Sequence, residues 1–225
     1  MVGFQVATVV RWKAFHAQPL PNSEVGLEKV PDVVEQDVLG ALRRATADRH
    51  DILDRAVPLA AAAPSLADYG AHLALLHAWL AAIEAWLAGY HDGPQDPARL
   101  APVPRAAIIA SDLADPAMPA QLPLLTHAAP HWPPGASAAY RWGVCYVVEG
   151  SQLGGAVLFK RLRGALAPHP LTYLGADGAA VGARWQHFIA QLRADVTAPC
   201  DVADACAGAC DAFDSLLALM DAAHE

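Results

Sequence analysis

His50 and Asp54 lie four residues apart in "LRRATADRHDILD". On a helix that spacing puts both side chains on one face, one turn apart. A carboxylate in that position holds one imidazole nitrogen and orients the ring so that the other can bind a metal. A single histidine is too few for a zinc site, which needs several protein ligands. It is enough for haem iron, because the porphyrin fills the equatorial positions. The alternative for the same residues is a core histidine that has found a hydrogen-bond partner.

A second stretch, "YVVEGSQLGGAVLFK" from Tyr146 to Lys160, is apolar almost throughout yet carries Gly150, Gly154 and Gly155. Each glycine inside a helix costs roughly 1 kcal/mol relative to alanine. About 3 kcal/mol is given up here, against a typical net stability of ~5–15 kcal/mol. At about 100° per residue, Tyr146, Gly150, Gly154 and Val157 fall within an arc of roughly 80°. Ser151 and Leu158 flank that arc and Gly155 lies off it. Bare backbone on one side of a helix serves either a close helix–helix crossing or a flat ligand lying against it. No histidine shares this face, which offers backbone, Ser151 and Tyr146.

Helices must carry both stretches. Leu39, Leu42, Thr46, His50, Leu53 and Val57 recur at steps of 3, 4, 4, 3 and 4, one stripe of a helix that Pro58 closes. Ser65 is a suitable N-cap for the next helix, with Leu73, Leu76, Leu80, Ile83 and Leu87 at helical spacing and Gly89 as its end. A shorter helix is expected over 105–115, then a proline-rich connection from Pro116 to Pro134. The glycine-bearing helix is expected over 137–166, followed by a turn at Pro168 and Pro170 and helices over 181–196 and 202–223. No segment alternates as a strand does. The pattern predicts an all-α, single-domain, multi-helix bundle over 39–225. Residues 1–38, with Pro19, Pro21 and Pro31 among scattered charges, read as an N-terminal extension outside it.

Of the 225 residues 55% are hydrophobic and 17% charged, so a sizeable core is expected. The net charge of −8 excludes nucleic acid as a general partner, since phosphate binding needs a basic surface. Cys145, Cys200, Cys206 and Cys210 form no CxxC pair, and they read as free thiols of a cytoplasmic protein, although Cys206 and Cys210 would share a helix face. The N-terminus has no basic region ahead of its apolar run and does not read as a signal peptide. Trp142–Phe159 is long and apolar and contains a Gly150/Gly154 GxxxG. Glu149 and Gln152 sit in its middle, so it reads as a buried helix and no membrane span is expected.

With these residues in place, the sequence resembles the biliverdin-producing haem oxygenases, bacterial members above all. "LRRATADRHDILD" is similar to the family's proximal helix, with a threonine four residues before the histidine. "YVVEGSQLGGAVLFK" is similar to its distal helix, "YGAHLALLHAWLAAIEAWL" to its second helix, and "ARWQHFIAQL" to the segment after the distal helix. The resemblance covers roughly residues 39–220. It implies a bundle that holds haem, both substrate and cofactor, between the proximal and distal helices. His50 would bind the iron, with Thr46 and Asp54 beside it. Gly150, Ser151 and Gly154 would form the distal catalytic face, and Tyr146, Arg43 and Lys160 would contact the haem, the two cations at its propionates. The products would be biliverdin, carbon monoxide and iron. An external electron donor is implied: a reductase, ferredoxin or flavodoxin. Two departures stand out. Animal members carry an aspartate where Ser151 stands, and often an aromatic residue where Cys145 stands. The alternatives are a non-catalytic haem- or bilin-binding protein of the same fold, and a thiaminase-like hydrolase with Cys145 as nucleophile.

Overall fold

The computed structural model describes residues 37–56, 59, 63–120, 131–175 and 178–222. Nearly all of the N-terminal extension, Val57 and Pro58 lie outside them. Among the described residues there are seven α-helices and no strand: α1 Val38–Ala56, α2 Leu66–Leu87, α3 Arg105–Leu113, α4 Ala138–Leu162, α5 Thr172–Gly175, α6 Val181–Asp195 and α7 Pro199–Ala222. The all-α expectation holds, and each helix read from the spacing is present.

Local chemistry explains the ends. Ser65 opens α2 with a capping box: its Oγ accepts from the Asp68 N–H, and the Asp68 carboxylate accepts from the Ser65 N–H at 2.7 Å. That hydrogen bond from the Ser65 backbone holds the Asp68 carboxyl below the usual range. Ser137 caps α4 by accepting from Tyr140 N at 3.1 Å. Pro104 precedes α3 and offers no side-chain oxygen, so Glu84 of α2 accepts from Ala106 N at 3.1 Å in its place. α4 stops at Leu162 rather than 166, because Gly164 and the approach to Pro168 do not sustain a helix.

The one-turn helix α5 was not expected. Its first N–H groups are satisfied from far away in sequence: Asp112 Oδ1 accepts from Thr172 N at 2.9 Å and Oδ2 from Tyr173 N at 2.8 Å. The Tyr69 hydroxyl donates to the same carboxylate at 2.7 Å, and Asp112 is only 1% exposed. Leu171 N donates to His169 Nδ1, so the proton of that ring sits on Nε2, which donates to the Asp112 carbonyl.

α7 is the element on which the bundle is assembled. α4 packs along it most closely, and α1 rests on it beside α6. The α4–α7 crossing is made at backbone distance. A β-carbon on Gly143 would overlap the Ala205 carbonyl, and one on Gly208 would overlap the Tyr140 carbonyl. Close packing therefore falls to Gly143 and Gly208. α1 and α4, each seated on α7, barely touch one another. By length and composition one helix among the described residues, α2, could cross a membrane. Its Tyr69, Leu73, Trp79, Leu80 and Ile83 are buried within the bundle.

His72 of α2 keeps little exposure, and its Nδ1 is buried with no hydrogen-bond partner among the described residues. Burial pushes its pKa from 6.5 down to about 4. The folded state keeps this ring neutral while the unfolded chain protonates near 6.5, so stability falls as pH drops from 6.5 and levels off below 4. The loss from this group reaches roughly 2 kcal/mol by pH 5. His72→Leu is expected to flatten the fall of the melting temperature between pH 6.5 and pH 5 relative to the wild type; parallel curves would show that His72 does not set that slope.

Candidate haem site between α1 and α4

α4 divides at its first candidate glycine. Arg141 to Gly150 are all buried, and from Ser151 to Lys160 none is. Leu153, Ala156, Val157 and Leu158 belong to this uncovered half, with Val157 38% exposed. Among the described residues nothing lies within 4 Å of where a Gly154 β-carbon would be. A Gly155 β-carbon would make ordinary contact, 3.7 Å, with Leu174 of α5. The two glycines therefore face different surroundings, Gly155 the protein and Gly154 open space. Bare backbone beside an uncovered apolar surface suits a flat apolar ligand.

On α1 the expected pair is formed. His50 Nδ1 lies 3.3 Å from Asp54 Oδ2, with the side chains 22% and 33% exposed. The imidazole meets the Phe213 ring of α7 edge-on at 5.8 Å. Thr46 is buried and donates its hydroxyl to Leu42 O of its own helix at 2.9 Å. Arg43 is exposed, and its charge reaches the Tyr146 phenol of α4. Burial dominates there and pushes the Tyr146 pKa up to about 12, with Arg43 opposing. Tyr146 is buried and meets the Trp185 ring of α6 at a tilt of 43°, with centroids 5.7 Å apart. It thus turns from the glycine face toward α6, although the helical wheel places it near Gly154.

Ser151 is exposed, and its hydroxyl donates to Val148 O at 2.7 Å. Gln152 Nε2 donates both to Ser151 Oγ at 3.1 Å and to the Tyr173 hydroxyl at 3.0 Å. Lys160 is exposed. Its neighbour Arg161 points back to the Leu59 carbonyl, and its Nε is buried without a partner among the described residues. Behind Gly150, Glu149 is 5% exposed and holds two guanidinium groups. Arg105 approaches at 2.9 Å, and Arg184 binds bidentately at 2.7 and 2.8 Å. A buried carboxylate needs such partners. Arg161 was within reach of sequence reasoning, because the wheel puts it inside the glycine arc. Arg105, Arg184 and Tyr173 were not, since contacts across 20 or more residues leave no local signal.

Cys145 is buried, and burial, with Glu149 adding to it, pushes its thiol up to about 12. It is no thiolate at neutral pH, which leaves the hydrolase reading without a nucleophile. Among the described residues no group of three His, Cys, Asp or Glu side chains gathers to hold a metal ion.

A family model described as Heme oxygenase matches residues 36–222. The chain belongs to the haem oxygenase family. A curated relative named Heme oxygenase, from Xanthomonas campestris pv. campestris (strain 8004), is 46% identical over 81 residues. The match covers 34% of this chain and 47% of the relative, so the chain spans about half the length of the relative it matches. The family comprises haem-binding oxidoreductases, and the helical bundle is its all-α fold. Of the candidates for a haem oxygenase site, His50, Asp54 and Arg43 share one face of α1, while Ser151 and Gly154 lie on the uncovered half of α4, just beyond the buried Gly150. Thr46 and Tyr146 stand inside the bundle behind them.

Proposed function

We propose that the chain binds haem between α1 and α4 and cleaves it, with O2 and electrons from an external donor, to biliverdin, carbon monoxide and iron. The observation that carries this reading is the pairing of an oriented His50 on α1 with an uncovered Gly154 on α4. The residues present suit haem. The apolar half of α4 matches its face, and the exposed Arg43 and Lys160, with the buried Arg161 Nε that has no partner among the described residues, match its carboxylates. Haem supplies the iron at which O2 is reduced and the ring carbon that is oxidised. His50 binds that iron through Nε2, because Asp54 engages Nδ1. Gly150 and Gly154 let backbone approach the ring, and Ser151 supplies a hydroxyl beside them.

A reductase, ferredoxin or flavodoxin would deliver the electrons. In a chain of net charge −8, Arg43, Arg44 and Arg55 are exposed on α1, and Lys160 and Arg163 at the end of α4 and just past it. Exposed cations such as these suit an acidic donor protein. The four free cysteines fit a cytoplasmic location. A family match that starts at residue 36 supports a domain over 39–225 after an extension of 1–38. A non-catalytic haem- or bilin-binding role remains the second reading. What favours it is Ser151 at the aspartate position, its hydroxyl spent on Val148 O.

Titration of the full chain with haemin, followed by ascorbate or a reductase system under air with catalase present, separates the two. Loss of the haem band with growth of a bilin band and release of carbon monoxide supports the oxygenase. Stable haem under reductant supports the binder, and absence of any haem band sinks both.

Asp54→Ala is expected to keep haem but lose its hold on the His50 ring. Losing such a contact typically costs about 10–100-fold in affinity or activity. An unchanged iron–histidine stretching frequency in the reduced complex would count against the contact.

A further inference from the structure

The polar cluster beside Gly150 includes one member that sequence reasoning did not reach. Tyr173 sits on the one-turn α5, and its phenol is buried against α4. Burial holds it above its ordinary pKa, so it remains a phenol at neutral pH. Its oxygen accepts from Gln152 Nε2 at 3.0 Å. Gln152 Nε2 also donates to Ser151 Oγ at 3.1 Å. One amide nitrogen thus bridges the two oxygens, and the phenol oxygen fixes where that amide stands. In this structure the Ser151 proton goes to Val148 O. A serine hydroxyl has one proton and a free rotor. When its oxygen accepts a hydrogen bond, that proton becomes a stronger donor to whatever oxygen comes within reach.

The placement of Tyr173 is not left to α5 alone. Its N–H is held by Asp112, which is buried and also fixed by the Tyr69 hydroxyl. A deeply buried carboxylate is thus devoted to keeping this turn against α4. The Ser151 side of α4 is exposed next to open space at Gly154.

We infer that Tyr173 is a positioning residue for the distal site. Its phenol holds the Gln152 amide that donates to Ser151 Oγ, so that Ser151 keeps its proton for a hydrogen bond to an oxygen ligand standing over Gly150 and Gly154. In this chain Ser151 and Tyr173 together take the place of a single acidic side chain. The inference rests on the haem-binding reading above.

The test is spectroscopic and uses the full-length haemin complex. Tyr173→Phe removes one oxygen from a ring that stays buried. Two quantities read the distal donor: the pH at which the ferric complex converts from its water-ligated to its hydroxide-ligated spectrum, and the C–O stretching frequency of the reduced carbon monoxide complex. Loss of a donor destabilises hydroxide, so the transition is expected to move up by about half a unit or more, the size one hydrogen bond carries. The C–O stretch is expected to move to higher frequency. Ser151→Ala, at an exposed position, should shift both in the same direction, and the double variant should shift them no further than Ser151→Ala alone. A merely structural tyrosine would lower the apo melting temperature and move neither reading. Unchanged readings in Tyr173→Phe, or additive shifts in the double variant, overturn the inference while leaving haem binding intact. A wild-type chain that forms no haemin complex overturns both.

Discussion

His50→Ala is expected to lose haem turnover by orders of magnitude while the apo-protein melts within a few degrees of the wild type. The ring is partly exposed, and it meets Phe213 edge-on at 5.8 Å. Such a contact contributes ~0.5–1.5 kcal/mol, and each kcal/mol moves the melting point of a protein this size by about 2–4 °C. The haem complex, by contrast, has no second histidine on the face α1 presents. The bound haem should therefore lose its histidine-ligated, water-ligated spectrum, and added imidazole should restore part of it. A variant that keeps both the wild-type spectrum and the wild-type rate would reduce His50 to a core residue and end the assignment.

The second large effect belongs to Gly154→Leu. If this glycine served helix packing, a leucine would overpack the interface at a cost of about 1–3 kcal/mol. Its surroundings say otherwise, since among the described residues nothing lies within 4 Å of the missing β-carbon. The apo-protein should tolerate the change and can recover up to ~1 kcal/mol of helix propensity. Haemin affinity should fall by about 100-fold or more, because the isobutyl group fills the volume that the ring needs. Gly208→Ala is the contrasting case. Its single added carbon meets the Tyr140 carbonyl, so its melting point should drop while any folded fraction still binds haem. A Gly154→Leu protein that melts several degrees lower yet titrates with haemin normally would reverse the assignment of the open face.

Much of the bundle could be read from local pattern. The 3–4 spacing along α1 and the capping serines at Ser65 and Ser137 depend on neighbours within a turn, so the sequence carries them directly. The His50–Asp54 contact is of the same kind. What escaped depends on distant partners. α5 exists because Asp112 reaches it from another helix, and no propensity within "TYLG" announces that. Tyr146 shows the limit of a helical wheel, which gives an angle about one axis and not the identity of the neighbour met there; Trp185 is that neighbour. The glycines divide along the same line. A count of missing side chains could not tell Gly143, pressed on Ala205, from Gly154, facing nothing.

The backbone-to-backbone crossing of α4 and α7 makes α4 a lever with a fixed fulcrum. At Gly143 and Gly208 the two helices can neither slide nor roll without a collision of main-chain atoms. Every residue from Arg141 to Gly150 is clamped on all sides. The arm beyond is only partly covered, with Leu174 and the Tyr173 phenol touching it and Arg161 reaching the Leu59 carbonyl at its far end, and it starts at a glycine. A guest entering above Gly154 therefore meets a cantilever rather than a wall. Room for it would come from flexing that arm about Gly150, at the expense of a hydrogen bond from Gln152, while the crossing at Gly143 and Gly208 would keep its register.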